Sequence, residues 1–366
     1  MALVVEQESN LSLNKQAWSK KLLRLCLAVT LLVSSCTAPP EASENSSSQP
    51  TSRLDLVLQR GKLVCGVSGE LPGFSFVEPN GKYSGLDVDF CRAVAAALFD
   101  DPTAVDYRNL NAKERFTALQ SGEIDLLSRN TTWTVSRQTS NGMDFAPVVF
   151  YDGQGIMVNA GSKIKTIQAL NKLAICAQTG TTTELNLADQ MRKRGLTYSP
   201  ITFEDINATF AAYEAGRCQA ITADKSALIV RRSRLRQPQA HLILDTQISK
   251  EPLAPAVASG DPKWSNLIKT VIYATIAAEE LDITSANLTT MAKSQNSEVL
   301  RFLGVEGDLG KNMQLPPNFA ARVIKHLGNY GEIYERNLGK KSNLKLERGL
   351  NRLWRDGGLL YAPPFR

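Results

Sequence analysis

From residue 53 onward, apolar and polar positions follow two periods. Short apolar runs bounded by polar residues predict strands at KLVCGVS (62–68), AVDYRNL (104–110) and IDLLS (124–128). Between them, GLDVDFCRAVAAALF (85–99) and AKERFTALQSG (112–122) carry apolar residues three and four apart and predict helices. Asp87 and Asp89 fall in the first turn of the former, where the helix dipole favours negative charge, and the latter ends on Gly122. A β-α-β-α-β order predicts a parallel sheet with crossover helices.

The same grammar restarts at GQGIMVN (153–159). Strands are predicted at KLAICAQ (172–178), YSPITF (198–203) and CQAITAD (218–224). Helices are predicted at TTTELNLADQMRKRG (181–195), INATFAAYEAG (206–216) and KSALIVRRSR (225–234). The chain therefore holds two α/β units, with no fixed-period repeat. Beyond ISKEPLAPAVASGD (248–261) the pattern is mainly helical, over 262–280, 317–328 and 346–356, and the chain closes on GGLLYAPPFR.

The first fifty residues follow different rules. Lys15, Lys20, Lys21 and Arg24 precede or open an apolar stretch, 22–33, that leads into small residues and Cys36. This is the layout of a secretory signal over residues 1–35, too short for a comfortable membrane span. LLVSSC resembles a bacterial lipoprotein signal, in which Cys36 becomes the lipid-bearing residue; a plain signal with a chance cysteine is the alternative. Residues 36–52 are rich in Pro, Ser and Glu and poor in large apolar residues, which predicts a flexible tether.

Composition narrows the field. The chain has 366 residues, 43% hydrophobic and 21% charged, with a formal charge of +6. These are values for an ordinary globular protein with room for two domains. The basic residues do not cluster into a stripe, which argues against a nucleic-acid partner. The densest basic run, RRSRLR (231–236), reads as a solvated helix face. Beyond Cys36 lie Cys65, Cys91, Cys176 and Cys218. An even number in an exported chain suggests disulfides, and Cys65–Cys91 and Cys176–Cys218 would each close a local loop. Four buried free thiols are the alternative.

In open α/β sheets, ligands sit beyond the carboxyl ends of the strands. At those ends stand Asn130, Thr131, Thr132 and Arg137; the segment TGTTTE (179–184); Asp224; and the loop GELPGFSF (69–76). Taken singly, each has a plain structural reading: a surface arginine, a capping box, a helix cap. Taken together they fit a free α-amino acid. Arg137 can hold a carboxylate through two parallel bonds. Thr132, with the amides around Thr182 at a helix start, would donate to the same carboxylate. Asp224 would accept from the ammonium, and the loop 72–76 could cover the side chain. His241 and His326 lack metal-ligand spacing. No nucleotide-phosphate loop, hydrolase elbow or carboxylate pair stands out, so no cofactor or metal is expected.

At these residues a resemblance becomes specific. GKYSGLDVDFCRAVAAAL, RNTTWTVSR, CAQTGTTTELN, GRCQAITADKSAL and ISKEPLAPAV resemble the periplasmic amino-acid-binding proteins of ABC importers: solute-binding protein family 3, in its general or polar amino-acid branch. LGVEGDLGKNMQLPPNFAARVIKHLGNYGEIYERNLG and LERGLNRLWRDGGLLYAPPFR match that branch's C-terminal extension. The resemblance runs from about residue 54 to residue 366.

It implies an α/β fold of two doubly wound lobes of the periplasmic-binding-protein type II, with a hinge and a helical extension. Lobe I would comprise 53–155 and 251–366, the latter including the extension, and lobe II 156–250. Carried over by motif, Arg137 binds the ligand carboxylate, with Thr132 and Thr182 assisting. Asp224 and the Asn130 carbonyl bind the ammonium, and Thr183 and Arg129 read the side chain. An aromatic in the first loop, Phe74 with Phe76 as alternative, stacks on the ligand. The implied function is capture of free amino acids in the periplasm and delivery to the membrane permease by a monomer that closes about its hinge. A dehydratase-like enzyme on the same fold, with Asp224 or Glu184 as acid or base, is the rival class. A ligand sensor is a third, disfavoured by the lack of any kinase or coiled-coil segment.

Overall fold

The computed structural model describes residues 52–366. The signal, Cys36 and nearly all of the tether lie outside the described residues.

Helix α1 (Arg53–Arg60) is capped by Ser52, whose hydroxyl accepts from Asp55, and leads into β1 (Leu63–Val67). A short antiparallel meander follows: β2 (Glu70–Leu71), β3 (Ser75–Val77) and β4 (Tyr83–Ser84). The pattern predicts only a loop over 69–76, because each of these strands is too short to show a period. Gly85 joins the meander to α2 (Leu86–Phe99) at φ 124°. A Cβ there would meet the Phe74 carbonyl at 2.1 Å, so only glycine fits.

Helix α2 is buried on nearly every side and packs against the sheet and three later helices, which its alanines permit. The chain continues through β5 (Val105–Asn109), α3 (Glu114–Gln120), β6 (Leu126–Leu127), α4 (Val135–Ser140), β7 (Met143–Phe145) and β8 (Phe150–Asp152).

The second lobe runs through β9 (Gln154–Asn159), β10 (Ala174–Gln178), α5 (Thr182–Lys193), β11 (Ser199–Phe203), α6 (Ile206–Glu214), β12 (Ala220–Asp224), α7 (Lys225–Arg232) and β13 (His241–Ile243). The chain then returns through β14 (Glu251–Leu253) and β15 (Ala256–Ala258) to the 19-residue α8 (Pro262–Glu280). Asp261 caps α8 by accepting from Trp264, and Pro262 stands at its first position.

Two five-stranded sheets result, ordered β5-β1-β6-β15-β7 and β11-β10-β12-β9-β13. In each, the three strands joined by crossover helices run parallel, as the pattern predicts. The remaining strands run antiparallel. These reach their sheets from the hinge or by a return connection, without the crossover that a parallel neighbour requires. The hinge is itself a two-stranded ribbon in which β8 pairs antiparallel with β14, Asp152 opposite Glu251.

Disulfides join Cys65 to Cys91 and Cys176 to Cys218. One ties β1 to α2; the other ties β10 to the entry of β12.

The extension adds α9 (Leu288–Met291), α10 (Ser297–Phe302), α11 (Phe319–Leu327) and α12 (Tyr330–Asn337). The helix expected over 346–356 is instead two 3-10 turns, at Gly349–Asn351 and Trp354–Asp356. Gly349 and Gly357, both at positive φ, break the helical path. The segment wraps lobe I. Arg348 pairs with Glu279 of α8 beneath Tyr330 and Tyr334, and Phe365 packs edge-on against Phe302. Asn351 also grips the hinge, accepting from the Tyr151 N–H at 2.6 Å and donating to its carbonyl at 3.2 Å. Among the described residues, no helix is long and apolar enough to cross a membrane.

Candidate functional site

The strand ends of the two sheets face each other across one cavity. Ser68, Leu71, Arg115, Arg129, Asn130 and Thr132 line it from lobe I. Lobe II contributes Gln178, Thr181, Thr182, Thr183, Ile206, Thr222, Ala223, Asp224, Ala227 and Arg231.

On the lobe I side, β6 delivers the chain into the wall. Arg129 follows it, buried, with Nε fixed on the Leu110 carbonyl at 2.8 Å. Burial pulls its guanidinium down to about 10, against the opposing pull of Asp87 and Glu70. Asn130 takes a positive φ of 33°, a conformation asparagine tolerates, and its N–H donates to Asp87 at 2.9 Å. Burial pushes the Asp87 carboxyl up to about 6.

Arg115 stands beside them on α3. It makes only long contacts, to the Arg129 carbonyl at 3.5 Å and the Thr131 hydroxyl at 3.4 Å. Its Nε has no partner among the described residues. Burial, and then repulsion from Arg129 and Arg137, hold Arg115 well below the usual guanidinium range. The wall thus presents two buried guanidinium groups that the protein leaves short of acceptors.

Across the cavity, Asp224 ends β12. Its one hydrogen bond among the described residues is from Asn130 Nδ2, at a long 3.5 Å. Burial first, then the neighbouring Asp152 and Glu251, push its carboxyl well above the ordinary range. A buried carboxylate so short of donors is poised for a cationic partner.

Thr182 and Thr183 open α5 behind the Thr181 cap, whose hydroxyl accepts from Glu184 N–H at 3.2 Å. A helix start leaves backbone N–H groups free for an anion. Thr183 is buried, with its hydroxyl against that of Thr181 at 2.8 Å.

Some expected residues occupy other places. Arg137 lies behind the cavity wall. Its guanidinium donates to the Thr132 carbonyl at 2.7 Å and sits 5.1 Å from the Phe116 ring centroid. Arg115 takes the wall position. The Thr132 and Thr182 hydroxyls stand 3.3 Å apart across the lobes, and both are engaged with Glu251.

Phe74 does not line the cavity. It is 1% exposed and packs edge-on against Phe150 in the lobe I core. Leu71 lines the cavity from the same loop instead. Phe76 is covered by Arg234 of lobe II at 4.3 Å. Glu184 accepts from the Gly180 N–H at 2.9 Å and lies outside the cavity, so it forms no acid–base pair with Asp224 there.

Sequence reasoning missed Arg115, Arg231 and Glu251. Arg115 shares the buried face of α3 with Ala118 and Leu119, three and four residues on. Arg231 sits one turn after buried Ala227 on α7. A charge on the apolar face of a helix was the available signal in both. Reading 231–236 as a solvated face therefore fails at Arg231. That residue is buried and donates across the cavity mouth to the Glu70 carbonyl at 2.8 Å. Asn207 reaches the Glu70 carboxylate at 2.9 Å, and Lys113 reaches Glu204 at 2.5 Å, so the lobes touch around the mouth.

Comparison with known proteins agrees with this architecture. The chain is 50% identical to the general L-amino acid-binding periplasmic protein AapJ of Rhizobium johnstonii over 337 residues, which is 92% of this chain and 99% of that one. It is 48% identical to the glutamate/glutamine/aspartate/asparagine-binding protein BztA of Rhodobacter capsulatus, over 86% of this chain and 94% of that one. A solved ABC transporter periplasmic binding protein from Brucella ovis, with glutathione bound, superposes with a TM-score of 0.84 at 48% identity, covering 86% of this chain and 99% of that one. Residues 63–288 match a single family along their length, and the chain belongs to it: the bacterial extracellular solute-binding proteins, family 3.

Proposed function

We propose that the protein is the substrate-binding component of an ABC-type amino-acid importer. It captures a free L-amino acid between its lobes and presents the closed form to a membrane permease. The observation that carries this reading is the cavity itself. Asp224 faces it from one lobe and two under-partnered guanidinium groups, Arg115 and Arg129, face it from the other. A zwitterion satisfies both ends at once.

The α-carboxylate takes N–H donors from the start of α5 and the charge of the arginine group, Arg137 included. The ammonium takes Asp224 and the Asn130 carbonyl. The remaining guanidinium capacity of Arg115 and Arg129 reads the side chain, so side chains ending in a carboxylate or carboxamide are favoured. The ligands named for BztA are of this kind, whereas AapJ is named for L-amino acids generally.

Titration calorimetry against a panel of L-amino acids, after co-purified ligand is removed by unfolding and refolding, tests the proposal. Glutamate and glutamine are expected to bind most tightly. A panel that gives no heat overturns the reading.

The proposal places the mature chain in the periplasm as a monomer, consistent with the periplasmic naming of AapJ. Cys36 carries the lipid and residues 37–52 the tether. The mass of the N-terminal peptide from membrane-extracted protein tests this: an unmodified cysteine, or a peptide beginning elsewhere, excludes the anchor.

A further inference from the structure

Glu251 opens the return strand of the hinge and is 0% exposed. Its carboxylate is enclosed by four donors. From lobe I, Thr132 Oγ1 donates to Oε2 at 2.6 Å. From lobe II, Thr182 Oγ1 donates to the same oxygen at 2.8 Å, and Asn186 Nδ2 donates to Oε1 at 2.8 Å. Ser249, at the end of lobe II, supplies the fourth.

Neither Glu251 nor Asn186 lines the cavity. A threonine hydroxyl has one proton. With both spent on Glu251, Thr132 and Thr182 offer only lone pairs to a ligand, and their role shifts from donating to holding the lobes in register. Thr132 is also fixed to the hinge through backbone pairing with Leu253. Swinging α5 away from lobe I must detach one of the two sets of donors from Glu251. The charged hydrogen bonds that are lost are of the stronger kind.

We infer that Glu251 is an interlobe latch: a positioning residue that stabilises the closed arrangement from behind the ligand, without touching it. A latch acts on the fraction of molecules that are closed. The apparent dissociation constant is the intrinsic one divided by that fraction. Loosening the latch must therefore weaken every ligand by one common factor. A ligand-contacting residue weakens ligands unequally. The ligand half of this inference rests on the proposed amino-acid binding; the shape half does not.

Glu251→Gln keeps the volume but leaves one oxygen for four donors. Asn186→Ala removes one lobe II donor at a half-buried site outside the cavity wall. Each variant is compared with the wild type by small-angle scattering in the ligand-stripped state, and by calorimetry with glutamate, glutamine, alanine and leucine.

The expected result is a larger ligand-stripped radius of gyration in both variants, an unchanged radius at saturating ligand, and a fall in affinity of about threefold to tenfold, equal for every amino acid bound. The inference is overturned by an unchanged stripped radius, by unchanged affinity, or by factors that differ among ligands beyond error. Should Glu251→Gln fail to fold, Asn186→Ala decides alone. Should the wild type bind no amino acid, the proposed function falls while the scattering still decides for or against the latch.

Discussion

At the scale of single residues, the site is an arrangement of buried charges whose partners are incomplete. Arg137 is half spent on the Thr132 carbonyl, Arg115 is almost unspent, and Asp224 has one long contact. Replacing Arg137 by Met is expected to weaken every amino acid by about 1–3 kcal/mol, since the loss removes a positive charge from behind the wall and leaves the buried Thr132 carbonyl without its donor. Calorimetry reads this directly. Arg115→Met is expected to reduce the glutamate-to-leucine preference at least tenfold, because it acts on the side-chain end.

Titration of Asp224 gives a third expectation. Its carboxyl is pushed well above the ordinary range, chiefly by burial, and the ammonium needs it ionised. Affinity therefore falls as pH drops through that raised value, about tenfold per unit below it. Asp224→Asn is expected to bind weakly with a flat profile.

Burial also lifts two other carboxyls, those of Asp87 and Asp152, each to about 6. The unfolded chain releases these protons near pH 4 and the native chain near pH 6. The pair's contribution to stability thus falls as pH rises through that window. Thermal unfolding at pH 4.5 and pH 7 checks the sign.

The sequence made Asp224, Arg129 and the α5 start legible because each stands where a strand ends. It hid Arg115 and Arg231, which act from helix faces. It misplaced Phe74, whose ring packs on Phe150, a partner 76 residues away.

At the scale of elements, legibility follows length. Helix α2 and strands β1 and β10 show their periods over enough residues to be read from the pattern alone. The meander strands, two or three residues each, do not. The antiparallel edges escaped because strand direction is decided by the route of the connection, which an apolar run does not encode.

The disulfides staple elements that packing already joins. Cys65 and Cys91 are 26 residues apart, and removing that loop constraint is expected to cost about 3.5 kcal/mol on the chain-entropy relation. Equilibrium denaturation of the doubly serine-substituted protein measures it. Asn351→Ala is a smaller test of the extension. It strips the Tyr151 N–H of its partner on the hinge strand and should cost about 1–3 kcal/mol.

For the whole molecule, the two-lobed plan was legible because its α/β grammar restarts after residue 152. The interlobe contacts were not. Many join residues far apart in the chain, such as Lys113 with Glu204, 91 positions on, and Asn207 with Glu70, 137 positions back. The lobes meet at the mouth through polar contacts and at the floor through Glu251, so closure is made of bonds that water can replace. Ligand is expected to shrink the radius of gyration of the wild-type protein, and small-angle scattering with and without glutamate reads it.

Strand β15 sits inside the first sheet, between β6 and β7, yet it is made about a hundred residues after them. Lobe II, by contrast, is one unbroken stretch of chain. A polypeptide threaded through a membrane from its N-terminus would therefore have the later lobe complete while the earlier one still lacks its inner strand, with the edge of β6 bare. An export-arrested chain ending near residue 250 should contain a protease-resistant core drawn from its second half.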